Sequence, residues 1–354
     1  MRWMMKAVAA TTRRYAAIGL LTIGGALLMV NGAQAATTFS VTFSNDASGQ
    51  FASYYPSITS NVLAAAQTWS QYFPSTDTTI AIEIQFVDDT TTGASCSSQS
   101  SYYVTNINGI DIFEQAATTK IRTGFDQNGE DTPDIEMQLG TNYLVQALWF
   151  DPHPLARVDL VPGDKTDAMS VFLHELCHAW AFTGWIDQMD GTFPGDYMST
   201  FDQWTQFDGT NFFFVGPGAE AIYGSPIPLT YGNVFHVGND SPRPGSDLIP
   251  DLMNGVVFYN GQRYYISNLD LAMCADAGVP ITNPPVILSH AQWMNGAFAF
   301  DITCPFGRAM RIDFSTDLVN WNVLANLITT NVTMAVSDPA AASSKNRFYR
   351  VALQ

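Results

Sequence analysis

The sequence predicts an α+β protein made of a mixed sheet with packed helices, followed by a small all-β sandwich. Three observations carry this. Period-2 apolar runs at Thr38–Ser44 and Thr79–Val87 flank a helical spacing over Ile58–Phe73. A second strongly apolar helical stretch begins at Val171. Beyond Pro284-Pro285 only short alternating runs remain: Phe298–Thr303, Met310–Phe314 and Arg347–Ala352.

Before these elements stand 35 residues of a different kind. Arg2, Lys6, Arg13 and Arg14 form a positive n-region, Ala16–Val30 an apolar stretch too short to span a bilayer, and Ala33-Gln34-Ala35 a cleavage site. The expectation is a signal peptide over 1–35 and a secreted or periplasmic protein with no membrane span once it is removed. The formal charge of −17 then moves to −21, because four basic residues and no acids leave. Such acidity argues against nucleic acid or an anionic membrane as partner, and serves solubility first.

In chain order, Thr38–Ser44 is a strand, Ile58–Phe73 a helix with Trp69 and Tyr72 on its packed side, and Thr79–Val87 a strand. Asp134–Leu139 is a further strand and Leu155–Val161 a candidate partner. The Asp126–Asp134 stretch is dense in hard oxygen ligands, so calcium is a candidate, although its spacing is not that of an EF-hand and such clusters are commonly plain turns. Trp185–Phe214 is unusually aromatic, suiting a satellite core under an insertion or the lining of a cleft. Cys96, Cys177, Cys274 and Cys304 leave their pairing open; Cys177 and Cys274 fall on elements expected to pack together.

The stretch richest in chemistry is Val171–Phe182. His174 and His178 are four apart and so lie on one helix face, where both can offer a ring nitrogen to one Zn²⁺, with Glu175 beside the water to be activated. Asp167 is placed to cap the helix start. A catalytic zinc needs a third protein ligand. His153 sits in a proline-fixed loop and His290 in the sandwich, which leaves His236, 58 residues after His178 in a Gly- and Asn-rich setting. Glu220 is the rival.

The His-Glu-x-x-His run at 174–178, the Gly216–Leu229 segment, the methionine-bearing turn Asp251–Gly255 and the run Ile266–Gly278 together resemble the metzincin zinc proteases. Within them the likeness is to the leishmanolysin- or matrixin-like secreted bacterial group, and it covers most of 38–282. The resemblance implies a metzincin-like zinc protease domain over 36–282: a twisted mixed sheet, an active-site helix and a C-terminal helix. It also implies His174, His178 and His236 as zinc ligands, Glu175 as general acid/base, Met253 as the turn residue and a protein or peptide substrate. Three positions depart from the family pattern. Ala181 replaces a glycine, Gly184 stands where the third histidine usually comes, and Gly255 where several members keep a tyrosine, so the oxyanion-stabilising residue is unassigned. Gly184 is expected to end a slightly longer helix in the left-handed conformation.

The region 283–354 resembles a C-terminal module common on exported bacterial proteins. Binding a surface or glycan is its functional reading, and a passive appendage the alternative; Trp321 is expected in its core. The expected function is an exported zinc endopeptidase. The alternative is a non-catalytic extracellular binding or adhesion protein that keeps the fold. The two residues between Ala35 and Thr38 leave no room for an inhibitory prosegment, and Cys96, expected in a flexible Ser/Thr-rich loop over Thr90–Ser101 and separated from the start by a strand and a helix, makes a poor cysteine switch. Activity is therefore expected once 36–282 folds, with the sandwich dispensable for small peptides.

Overall fold

The computed structural model describes residues 5–6, 37–88, 93–282, 286–294, 296–305, 308–329, 333–344 and 346–353. The expected leader lies outside the described residues apart from Met5 and Lys6, as do residues 283–285 of the break before the sandwich. The described chain is mixed α and β, and none of its helices is long and apolar enough to cross a membrane.

Strand β1 (Thr37–Ser44) leads into helix α1 (Tyr55–Ser70), and β2 (Thr78–Val87) returns beside β1 in parallel. The helix starts three residues earlier than the apolar spacing indicated, because Pro56 suits its first turn. Strand β3 (Ala94–Ser98) follows, then a hairpin of β4 (Ser101–Ile107) and β5 (Ile110–Gln115). Asn108 and Gly109 both have positive φ, 54° and 90°. That is the two-residue turn whose twist matches the strands it joins. After α2 (Ala116–Thr123) comes β6 (Ile135–Gly140), parallel to β2, with β3 antiparallel on its other side. The sheet order is β1-β2-β6-β3, so β3 is its edge strand. Cys96 thus lies in a paired strand and not in the flexible loop its Ser/Thr-rich surroundings suggested; 89–92 lie outside the described residues.

Helix α3 (Thr141–Gln146) follows β6 directly, and α4 (Ala168–Trp180) carries the histidines. Helix α4 packs on α1 and β3, and its side chains are almost wholly buried. Leu155–Val161 forms no strand. Arg157 takes φ 50° there and sends its guanidinium to Asp167 and to the Tyr264 carbonyl, which holds the segment as a loop.

Strand β7 (Tyr197–Ser199) pairs in parallel with β5. Then β8 (Thr205–Phe207), β9 (Phe212–Phe214), α5 (Pro217–Tyr223), β10 (Ile227–Thr230) and β11 (Asn233–Val237) follow, with β8-β9-β10-β11 an antiparallel sheet. Phe201, Phe212 and Phe214 join the same core as the main sheet, so most of the aromatic insertion is core. Trp185 and Tyr197 stand outside that core and are more than a third exposed. Helix α6 (Asn268–Asp276) starts at a capping box between Ser267 and Asp270, an N-terminal signature the sequence carries openly.

A second, smaller core gathers Phe298, Phe300, Ile302, Met310, Ile312 and Tyr349. They come from two antiparallel sheets: β12 (Ile287–Met294), β13 (Ala297–Thr303) and β16 (Thr333–Asp338) in one, β14 (Ala309–Ser315), β15 (Asn322–Ile328) and β17 (Phe348–Leu353) in the other. Trp321 is only half buried, with the Arg350 guanidinium 4.2 Å over its ring.

Candidate metal centre

Helix α4 is fixed at both ends and along its side. The Asp167 side chain caps it by accepting from the Ser170 amide at 3.1 Å, and such a cap contributes about 1 kcal/mol. Asp167 is fully buried, and Arg157 (2.6 Å) and Arg263 (3.5 Å) neutralise its carboxylate. In the middle, Trp69 on α1 donates its indole N–H to the Leu173 carbonyl at 3.0 Å. At the far end Thr118 donates to the Trp180 carbonyl at 2.6 Å. The helix stops at Ala181, and Gly184 adopts no left-handed conformation. Its glycine serves close approach instead, because a Cβ there would lie 2.2 Å from an Asp202 carboxylate oxygen. That carboxylate accepts from the Trp185 amide at 2.8 Å and turns the chain away.

His236 arrives from β11, the second strand of a hairpin. The Val237 amide donates to the Met253 carbonyl at 2.9 Å and the Gly255 amide to the Val237 carbonyl at 3.2 Å, so the strand of the third histidine is stitched to the methionine turn. Gly255 is small for a reason the sequence hid: a Cβ there would stand 2.7 Å from His236 Cβ and from Thr230 Oγ1. Met253 is fully buried, and Asp251 Oδ1 accepts from its amide at 3.0 Å. Burial and the neighbouring Asp251 carboxylate push the Asp270 carboxyl well above the usual range.

The three Nε2 atoms of His174, His178 and His236 lie 3.1, 3.2 and 3.1 Å apart. His174 and His178 each use Nδ1 against a backbone carbonyl, Leu252 at 2.8 Å and Phe182 at 2.6 Å. A carbonyl only accepts, so each Nδ1 carries the proton and each Nε2 of the neutral ring presents a bare lone pair. Two bare acceptors 3.2 Å apart have no hydrogen to share. Protonation does not relieve them, because burial holds His174 down to about 3, His178 to about 4 and His236 well below its ordinary value. A divalent cation satisfies such a donor set. Neutral imidazoles are what zinc requires, and ligand nitrogens about 3.3–3.4 Å apart correspond to tetrahedral Zn–N bonds of about 2.0–2.1 Å. The residues fit zinc. Phe258 stands edge-on to His174 at 5.2 Å and stacks on Tyr264, walling one side of the cluster.

Glu175 is buried, and burial alone pushes its carboxyl up to about 8. Burial, and then Glu175, likewise raise the Cys96 thiol, on edge strand β3. Cys177 and Cys274 meet with Sγ atoms 3.6 Å apart as buried free thiols.

The other candidates are not brought together with these. Glu220 lies on α5, outside the set of converging ligand atoms. His290 is exposed beside Asp301. His153 groups with Asp151 and Asp159 instead. In the proposed calcium loop the ammonium of Lys120 sits 2.7 Å from Asp126 and 2.8 Å from Asp134, so those carboxylates already share a cation. Sequence reasoning missed the carbonyls of Leu252 and Phe182 and the arginines on Asp167; backbone acceptors leave no mark in residue identity. No family model, no curated protein and no solved structure matches this chain.

Proposed function

We propose that the protein is a zinc-dependent endopeptidase of metzincin-like build, in which His174, His178 and His236 hold the metal and Glu175 is the general acid/base. The observation that carries this is the convergence of three imidazole nitrogens, from a buried His174 and a partly buried His178 and His236, with the buried carboxylic side chain of Glu175 next to His174 on the same helix. Bound zinc supplies Lewis acidity, lowering the pKa of water to about 7 and polarising a carbonyl. Everything else falls to the chain. Leu252 and Phe182 keep two ring protons on Nδ1, orienting both rings. Glu175, buried next to His174 on the same helix, takes a proton from the attacking water and hands it to the leaving amine. Strand β3, packed along α4, is an edge of its sheet among the described residues, and an extended peptide can lie along such an edge.

An exported location, with the leader removed, and a surface- or glycan-binding role for the sandwich belong to the same proposal. The test is metal analysis of the purified chain together with cleavage of a diverse peptide library. One zinc per chain with Glu175-dependent cleavage is the expected result. Zinc without cleavage of any peptide leaves the non-catalytic binding protein as the reading.

A further inference from the structure

The outer face of the β4–β5–β7 sheet departs from what a half-buried sheet usually shows. Along β5, Ile112 and Glu114 point into the protein, and the alternation turns Asp111 and Phe113 outward. Tyr197 is the cross-strand partner of Asp111, and Tyr103 that of Phe113. Trp185, seven residues beyond His178 on the segment leaving the site helix, packs over them. Tyr103, Trp185 and Tyr197 are 57, 37 and 38% exposed, although aromatic rings usually bury more. The cleft here has a volume of about 490 Å³ and is lined by Ser101, Asp111, Phe113, Trp185, Asp196 and Tyr197.

We infer that this cleft is a binding site for a cationic side chain, the ammonium or guanidinium of a lysine or arginine in a polypeptide. The rings stand nearly perpendicular in succession: 79° between Tyr103 and Phe113, 81° between Phe113 and Trp185, 76° between Trp185 and Tyr197. Three of these rings, Phe113, Trp185 and Tyr197, line the cleft at steep angles to one another, and an aromatic face open to it attracts a cation. A sugar platform would instead offer one flat face. The two carboxylates point to the same ligand. Among the described residues Asp111 accepts from the Asn106 side chain, and no lysine, arginine or histidine forms an ion pair with Asp111 or Asp196. A formal charge of −17 draws cations toward the molecule as a whole.

The site is independent of the peptidase reading. If both hold, a basic residue of the substrate is anchored here. The experiment is calorimetric titration of the full chain with the capped peptide acetyl-Gly-Gly-Arg-Gly-Gly-amide and with its neutral citrulline counterpart. The arginine peptide should bind about tenfold or more tightly than the citrulline one, and less well as salt is raised. Asp111→Asn with Asp196→Asn should remove that preference. These isosteric changes keep the Asn106 contact, so they test the site even if Trp185→Ala, which should also weaken binding, disturbs the fold. Binding is measured in wild-type and Glu175→Gln chains alike, so failure of catalysis and failure of this site are told apart. Equal affinity for the two peptides, no binding of either at about 10 mM, or preference for a neutral oligosaccharide such as cellopentaose would overturn the inference.

Discussion

Among the described residues, two clusters bring three metal-ligating side chains within reach of one another, and they differ in what already satisfies those side chains. His174, His178 and His236 converge, as do Asp151, His153 and Asp159. In the second cluster every group already has a protein partner: Asp151 pairs with Arg263 at 2.7 Å and accepts from the His153 amide at 2.7 Å, while His153 Nδ1 meets Asp159 at 2.7 Å. In the first, two of the rings spend their one proton on a backbone carbonyl and leave their remaining nitrogens facing each other. Proximity of ligand types is therefore a weak guide. What separates the clusters is where the protein's own protons and cations go.

The largest effect should come from breaking the first cluster. His236→Ala is expected to abolish stoichiometric zinc as fully as His178→Ala, measured by elemental analysis after dialysis. Glu220→Gln should retain it, and the reverse pattern would exchange the third ligand. Next, Glu175→Gln should keep zinc and fold and lose about 10²–10⁴-fold in peptidase turnover, the contribution of a positioned acid/base group; unchanged turnover would remove Glu175 from that role. In the second cluster, Asp151→Asn leaves Arg263 short of a buried carboxylate, so stability should fall by about 2–4 kcal/mol in urea unfolding with zinc content unchanged. A loss of zinc with intact stability would show that the cluster binds metal after all.

The smallest effect concerns His153. Its hydrogen bond to Asp159 raises its pKa above 6.5. A raised folded-state value stabilises the protein below the unfolded pKa, and the gain is lost as pH rises through the folded one. His153→Ala should therefore lower Tm by about a degree at pH 5.5 and leave it unchanged at pH 9, since exposed pairs contribute little. A larger difference at pH 9 than at pH 5.5 would contradict the pairing.

What the sequence revealed follows the same division. Apolar periodicity marked β1, β2, β6 and α4 closely, because that signal is local, whereas the capping box of Ser267 and Asp270 at the start of α6 went unread. His174, His178, Glu175 and Asp167 were legible for the same reason. The third ligand was reached by elimination, since what seats His236 is its pairing with a turn that begins 15 residues later. Leu155–Val161 looked like a strand because Arg157's partner, Tyr264, lies 107 residues away. The acidic loop at 126–134 looked open because Lys120 belongs to the preceding helix. Gly184 and Gly255 looked like departures from a pattern, and each turned out to make room for a side chain the sequence does not place beside it.

The central claim is that three imidazoles and no other side chain hold one zinc. X-ray absorption at the zinc edge of the metal-loaded full chain tests it most directly. The account predicts one zinc per chain with three imidazole nitrogens at about 2.0–2.1 Å and no sulfur. A sulfur scatterer at about 2.3 Å, or a spectrum unchanged by His236→Ala, would contradict it.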